Sequence, residues 1–271
     1  MAVTAVPRPQ NGFLAAVDDL IQGLMLWRLW LRMGLFETKN RYLRTILGPF
    51  WMASTTIAMG LALAFIRSGP GAGGFGSVLP YVVAGVLVWS LVGGGHNEGA
   101  GIFVGASGTM RSTPLPLSFH VFMQVWRMLI VFAHGLVGFY IIVLAFGVAH
   151  IPHWTLPFGL AIAIWAVFPS FYLLALVSAR YRDIGHATVF IFSILFFLSP
   201  IFWQEDNATG LRAMFVHYNP FAHLVNLIRY PLMGLRPTWT MVQWVVGYGA
   251  VCWGLLLVFL PMVRRRVIFW L

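Results

Sequence analysis

Six apolar stretches, separated by polar or basic segments, dominate the pattern of hydrophobic and polar positions along this chain. Each is close to the roughly 20 apolar residues that an α-helix needs to cross a bilayer. The stretches lie at about 49–67, 79–95, 119–147, 154–177, 187–203 and 241–262. The pattern therefore predicts an all-α integral membrane protein with six transmembrane helices.

Another apolar stretch, 13–36, precedes these spans but contains four charged residues. Each would cost about 2.5–3.5 kcal/mol at the centre of a bilayer, so a seventh span is not expected. The four are Asp18, Asp19, Arg28 and Arg32. A stripe of apolar residues at helical spacing is made of Leu20, Leu24, Trp27 and Leu31. We predict an amphipathic helix in the cytoplasmic interface, where plain anchoring and a functional role are equally good explanations.

The segment between the last two spans is too long for a turn, and its apolar pattern breaks at Asn219 and Pro220. Because proline cannot donate a helical hydrogen bond, we predict two short helices over about 208–234. Helices that enter the membrane from outside and return need surrounding protein or a wet cavity, so this segment indicates a pore mouth.

The segment after the second span, 97–111, follows a glycine run and precedes Pro114 and Pro116. We predict a loop with a short helix that ends near Met110 and projects into the cytoplasm. A flexible connector is the alternative interpretation.

Composition and charge narrow the class of protein. Hydrophobic residues make up 60% and charged residues 9%, and the mean hydropathy is +0.84, which excludes a water-soluble chain. Of 17 Lys and Arg residues, 12 fall in the segments predicted to be cytoplasmic, four fall outside, and Arg127 lies in the third span. This bias places both termini in the cytoplasm, without a cleavable signal peptide. The chain divides into a cytoplasmic segment, 1–48, and a transmembrane domain, 49–271.

Several kinds of chemistry are not expected. The sole lysine, Lys39, is not in a P-loop, so ATP and its Mg²⁺ would be bound by a separate subunit. Two histidine pairs, His150 with His153 and His217 with His223, have no matching carboxylates or cysteines, so no metal site is expected. Glu98 and Asp183 are placed at the cytoplasmic boundary, and spans three to six hold no acidic residue. A proton- or sodium-driven carrier is therefore the weaker interpretation, as is an enzyme that acts on lipid-linked sugars, which would need paired carboxylates.

Two sets of residues could contact a transported substrate. Basic residues at the cytoplasmic face could receive a phosphate group, although orientation and lipid anchoring explain them too. They are Arg41, Arg44, Arg180 and Arg182. Aromatic side chains could form a wall along which sugars slide, although interface belts are the ordinary explanation. The candidates for this wall are Trp51, Phe192, Phe196, Phe197 and Trp203.

Three motifs resemble one known family. The run from Glu37 to Trp51, ETKNRYLRTILGPFW, is similar to the basic-to-LGPxW entry of the first span in ABC-2 type permeases. Residues 180–184, RYRDI, resemble that family's RxRD-like loop, and YNPF at 218–221 followed by Arg229 resembles its outer NP element. These permeases are the membrane subunits of bacterial O-antigen (lipopolysaccharide), capsule and teichoic acid exporters.

The resemblance implies a homodimer that pairs with two separate ATPase subunits in the bacterial inner membrane. It would export an undecaprenyl-type lipid-linked polysaccharide and would not itself be an enzyme. The residues implied in ATPase coupling are Trp27, Arg28, Glu98, Ile102, Phe103, Arg111 and Asp183. The outer gate would contain Tyr218, Asn219, Pro220 and Arg229. Drug efflux by a related ABC-2 permease stays open as an alternative.

Overall fold

Helices form all of the regular structure in residues 12–41, 43, 45–46, 48, 50–69, 74–205 and 209–271, which a computed structural model describes. The prediction of an all-α fold is confirmed for this part of the chain. The helices are α1 (Gly12–Met25), α2 (Trp27–Arg41), α3 (Phe50–Arg67), α4 (Phe75–Ala100), α5 (Ile102–Gly105), α6 (Ser107–Ser112), α7 (Leu117–Ala145), α8 (Leu156–Arg180), α9 (Asp183–Leu198), α10 (Leu211–Tyr218), α11 (Pro220–Leu232), α12 (Trp239–Val263) and α13 (Val267–Trp270).

In the described part of the chain, four helices, α4, α7, α8 and α12, are long and apolar enough to cross a membrane. The first and fifth predicted spans correspond to shorter apolar helices, Ala53–Arg67 within α3 and the 16-residue α9. At 1.5 Å per residue α9 is about 24 Å long, which is less than the roughly 30 Å of a hydrocarbon core. The chain is thus a multi-pass membrane protein by its four long helices, and crossing by α3 and α9 stays a prediction.

The central helix is α4, which packs against α3, α7, α8, α9 and α11. The prediction of a loop from residue 97 is wrong at its start, because α4 continues through the glycine run to Ala100. A Cβ atom at Gly95 or Gly99 would come within 2.7 Å or 3.2 Å of the Phe171 ring on α8. The absence of side chains therefore lets α4 lie close to α8, and these glycines serve helix packing.

Among the described residues, two helices, rather than the single one predicted over 13–36, precede the first span, because the helix is interrupted by a turn at Leu26. The face of α1 that packs on the bundle is formed by small residues and one carboxylate. These buried residues are Ala15, Ala16, Asp19 and Gly23. Leu24 and Trp27 of the predicted stripe are exposed, as contact with a membrane interface requires.

Asp19 fixes α1 to the beginning of α7. Its carboxylate accepts hydrogen bonds from the backbone N–H groups of Leu117 and Ser118, at 2.9 Å and 3.0 Å, and from the Tyr172 hydroxyl at 2.8 Å. The Ser118 hydroxyl donates to the Asp19 carbonyl oxygen at 2.6 Å. A carboxylate from another helix therefore caps the positive N-terminal end of α7, and we call this set of contacts the Asp19 cap.

The N-terminal and C-terminal helices lie at the same end of the bundle as the Asp19 cap. Arg264, just after α12, donates to the Ala15 carbonyl oxygen, and the Arg180 guanidinium lies over the Trp270 ring on α13. The segment 199–203 meets the junction of α10 with α11, where Asn219 Nδ2 donates to Ser199 Oγ at 2.9 Å.

The predicted pair of short helices with a break at Asn219 is confirmed as α10 and α11. The fifth predicted span, however, ends too late at 203, because α9 stops at Leu198 before Pro200. The segment that follows crosses α4 closely at Gly85. A Cβ atom there would come within 2.7 Å of the Ile201 carbonyl oxygen, so glycine is required for this approach.

Candidate functional site

A chain of three adjoining cavities runs along α4. One cavity lies near the end of the bundle that carries the Asp19 cap, between α2, α4, α5, α6 and α7. We call it the outer cavity because it is nearest that end, and its volume is about 400 Å³. The inner cavity, about 210 Å³, shares Arg41, Glu98 and Arg127 with it. The open aromatic cleft, about 430 Å³, lies between α3, α4 and α9 and shares Ser90 and Gly94 with the inner cavity. Together they form one candidate site, charged at one end and aromatic at the other.

The charged end is a network contributed by three helices, which we call the polar junction. It consists of Glu37 and Arg41 on α2, Glu98 on α4, and Gln124 and Arg127 on α7. Arg127 Nη1 lies 2.5 Å from Glu37 Oε2, and its Nη2 lies 3.6 Å from Glu98 Oε2. Gln124 Nε2 donates to Glu98 at 2.7 Å, while its amide oxygen accepts from Arg127.

Arg41 completes the polar junction from the solvent side. Its Nη1 lies 3.8 Å from Glu98 Oε1, and about half of its side chain is exposed. Of the four predicted entry arginines, Arg41 alone among those described lines these cavities. Arg180 and Arg182 are exposed at the end of α8, and Arg180 lies over the Tyr181 ring. Arg44 lies outside the described residues.

The inner cavity combines polar and apolar walls. Leu91, Met128, Val131 and Phe132 form the apolar side. Thr38 and Ser90 contribute hydroxyl groups whose protons are donated within their own helices, to Gly34 and Leu87 carbonyl oxygens at 2.8 Å and 2.7 Å. The lone pairs of these hydroxyl oxygens therefore remain as acceptors on the polar side.

The aromatic cleft contains three of the five predicted wall residues. Phe192, Phe196 and Phe197 line it together with Trp89 of α4. Trp89 packs against Phe192 and Phe196 with ring centroids 6.1 Å and 5.9 Å apart.

The other two predicted wall residues lie elsewhere. Trp203 is buried and donates to the Phe197 carbonyl oxygen at 3.2 Å, while the Arg212 guanidinium lies over its ring. Trp51 is exposed near the start of α3 and does not line the aromatic cleft.

The residues expected to couple to an ATPase divide into exposed and buried groups. The exposed ones are Trp27, Arg28, Arg111 and Asp183. Phe103 is 0% exposed and packs edge-on against Tyr172, and Ile102 is buried beside it. These two side chains can act in coupling only by transmitting force into the bundle. Glu98 lies in the polar junction.

The residues predicted for the outer gate mostly build the fold. Asn219 caps α11 by accepting from the Phe221 N–H at 3.0 Å, and Pro220 is the first residue of that helix. Arg229 is 0% exposed, donates to the Pro200 carbonyl oxygen at 2.6 Å and lies 3.7 Å above the Tyr81 ring. Burial lowers the pKa of its guanidinium, which the neighbouring Tyr81 opposes. Tyr218 is exposed.

Several residues that matter to this site were not predicted from the sequence. Arg127 is predicted to lie in the third span but is given no role, Glu37 is included only as the first residue of the ETKN motif, and Gln124 has no predicted role. His96, on α4, is buried between Phe171, Phe192 and Phe221, with Nε2 lying 3.0 Å from Ser170 Oγ. The one available signal for the junction was a charged residue inside an apolar span, because such residues usually have a polar partner.

Within the described residues, no group of three or more His, Cys, Asp or Glu side chains could hold a metal ion. Comparison of the chain with protein-family models and with curated proteins finds no match.

Proposed function

We propose that this chain is the membrane-spanning subunit of an ATP-driven exporter that moves a lipid-linked polysaccharide across the bacterial inner membrane. In this proposal α3 and α9 complete six spans, both termini are cytoplasmic, two copies form the conduit and two separate ATPase subunits drive it. The observation that carries it is the continuous site along α4, which passes from the polar junction to the aromatic cleft. The three sequence motifs supply the family to which the proposal refers.

The arrangement suits a substrate with a polar part and a part that presents C–H surfaces. Arg41 and Arg127 offer guanidinium donors to oxygen atoms at the charged end. At the other end, Phe197 is exposed and offers a ring surface on which a sugar can pack, while Phe192 and Phe196 line the cleft as buried side chains. An amphiphile moving along α4 would therefore find compatible surroundings at each stage.

We propose that the energy for transport comes from ATP hydrolysis on the separate ATPase subunits. Glu98, the carboxylate at this site that an ion-driven carrier would need, is hydrogen-bonded to Gln124 and paired with Arg127 and Arg41. Both carboxylate oxygens are therefore engaged within the polar junction, where Glu98 joins α4 to α2 and α7.

The proposal is tested by separating the two energy sources. The ATPase that co-purifies with this chain is co-reconstituted with it, and movement of a radiolabelled lipid-linked glycan into inverted vesicles is measured. We expect transport to stop when ATP is removed while a proton gradient is maintained. Uphill solute transport by the chain alone, driven by an ion gradient, would contradict the proposal. ATP-dependent movement of small hydrophobic drugs, with no glycan movement, would instead favour efflux.

A second prediction concerns the aromatic cleft. Phe197→Ala should lower the rate of glycan transport by about tenfold, the cost of removing one aromatic contact of about 1.4 kcal/mol. Phe190→Ala is the matched control, because Phe190 is exposed to the same degree (67% against 64%) on the same helix but does not line the cleft. Equal transport by both variants, measured at equal protein levels, would show that the aromatic cleft is not part of the transport pathway.

A further inference from the structure

The inner cavity presents a particular mixture of hydrogen-bonding groups. Thr38 and Ser90 offer oxygen lone pairs, and Glu98 offers a carboxylate, so this wall accepts hydrogen bonds. Arg41 and Arg127 border the same space and donate. A ligand that fills this cavity must therefore both donate and accept at neighbouring atoms.

Four charged residues line the outer cavity and their charges cancel, and three of them, Arg41, Glu98 and Arg127, also border the inner cavity. Arg41 and Arg127 each contribute a positive charge, and Glu37 and Glu98 each contribute a negative one, all four within the connected ion pairs of the polar junction. A phosphate in the inner cavity would gain the arginines but would lie against the Glu98 carboxylate. Because an ion that leaves water needs a net opposite charge nearby, neither an anion nor a metal cation fits well.

The inner cavity also has an apolar side. Leu91, Met128, Val131 and Phe132 line one side of the inner cavity of about 210 Å³. The outer cavity of about 400 Å³ shares Arg41, Glu98 and Arg127 with it and is itself within the usual range of small-ligand sites, roughly 300–1,000 Å³. Sugar rings have this same division into hydroxyl edges, which donate and accept, and C–H faces.

We propose that the inner cavity and the outer cavity within one copy of this chain form a binding site for a neutral, hydroxyl-rich ligand of one or two sugar rings. That this site binds the glycan during its transport rests on the proposed function. The site lies inside a single helical bundle, between α2, α3, α4 and α7, and its recognition of the ligand is by hydroxyl groups and not by phosphate.

Gly94 offers a way to fill the site without disturbing the fold. It lines both the inner cavity and the aromatic cleft, and a Cβ atom added there has nothing within 4 Å. Gly254 of α12 is the matched control, because a Cβ atom at that position also has nothing within 4 Å and the residue lines none of these cavities. Both changes to leucine replace a helical glycine, so their effects on helix propensity are alike.

The experiment measures binding to the purified full chain in lipid nanodiscs by saturation-transfer-difference NMR. The probes are methyl α-glucoside and N-acetylglucosamine as neutral sugars, and inorganic phosphate as a competitor. We expect at least one sugar to bind, phosphate not to displace it, Gly94→Leu to weaken binding at least tenfold, and Gly254→Leu to bind as the wild type does. Absence of binding by both sugars, displacement by phosphate, or unchanged binding by Gly94→Leu would each overturn the site.

Failure of this inference is distinguishable from failure of the proposed function. If the chain binds no sugar but supports ATP-dependent glycan transport, the binding site is contradicted and the proposed function stands. If the chain binds sugar in the expected way but moves solute by an ion gradient without an ATPase, the proposed function is contradicted and the binding site stands.

Discussion

Replacement of Arg229 by methionine is expected to destabilise the protein by about 3–5 kcal/mol, because two buried acceptors lose a charged hydrogen-bond donor at roughly 1.5–3 kcal/mol each. The guanidinium is fully buried and joins α11, α4 and the segment after α9. Its removal leaves the Pro200 carbonyl oxygen and the Asn226 amide oxygen without this donor and removes the cation above the Tyr81 ring. The free energy of unfolding of the purified protein in mixed micelles measures the effect.

Arg236→Met is the control, since it makes the same chemical change at an exposed arginine that follows α11. Exposed substitutions away from such networks usually change stability by less than about 0.5 kcal/mol. Equal unfolding free energies for the two variants would show that Arg229 does not hold α11, α4 and the segment after α9 together.

Replacement of Asp19 by asparagine is expected to release α1 from the bundle and to lower stability by about 2–4 kcal/mol, from lost charge-assisted hydrogen bonds and a lost helix cap. The carboxylate is only 9% exposed and accepts from two backbone N–H groups and one hydroxyl. An amide cannot accept all three with the same strength, because one of its two polar atoms is a donor. Cysteine placed at the buried Ala16 should then become reactive toward a membrane-impermeant maleimide.

Asp18→Asn provides the comparison, because Asp18 is adjacent but only partly buried and accepts from Gln22 within α1 at 2.8 Å. Its stability and the labelling at position 16 should match the wild type. The native Cys252 is buried in α12 and is replaced by serine in every variant of the labelling series to remove its background. Protection at position 16 that persists in the Asp19 variant would show that α1 is held by other contacts.

Hydropathy predicts most of the helices but not how they meet. The first and last predicted spans agree with α3 and α12 to within two residues, because long apolar runs have few other stable structures in a membrane. The end of α4 was mistaken for loop because glycine is ambiguous in a sequence. It breaks isolated helices, yet at Gly95 and Gly99 it permits contact with Phe171.

The polar junction and the Asp19 cap could not be predicted from local patterns. Arg127 and Glu37 are 90 positions apart, and the spacing of charges along one helix does not show which residue of another helix will face them. The partners of Asp19 are mainly backbone N–H groups of α7, which every non-proline residue possesses. Side-chain type alone therefore carries no signal for that contact.

The shortness of α9 has a consequence for the lipid around the protein. In the proposed six-span arrangement, its 16 residues fall about 6 Å short of the hydrocarbon layer, so where α9 faces lipid the bilayer would become thinner or its headgroups would dip inward. This hydrophobic mismatch is located beside Phe192, Phe196 and Phe197. A polar headgroup that crosses there would meet a thinner barrier than anywhere else along the long helices, so the deformed membrane itself would be part of the pathway.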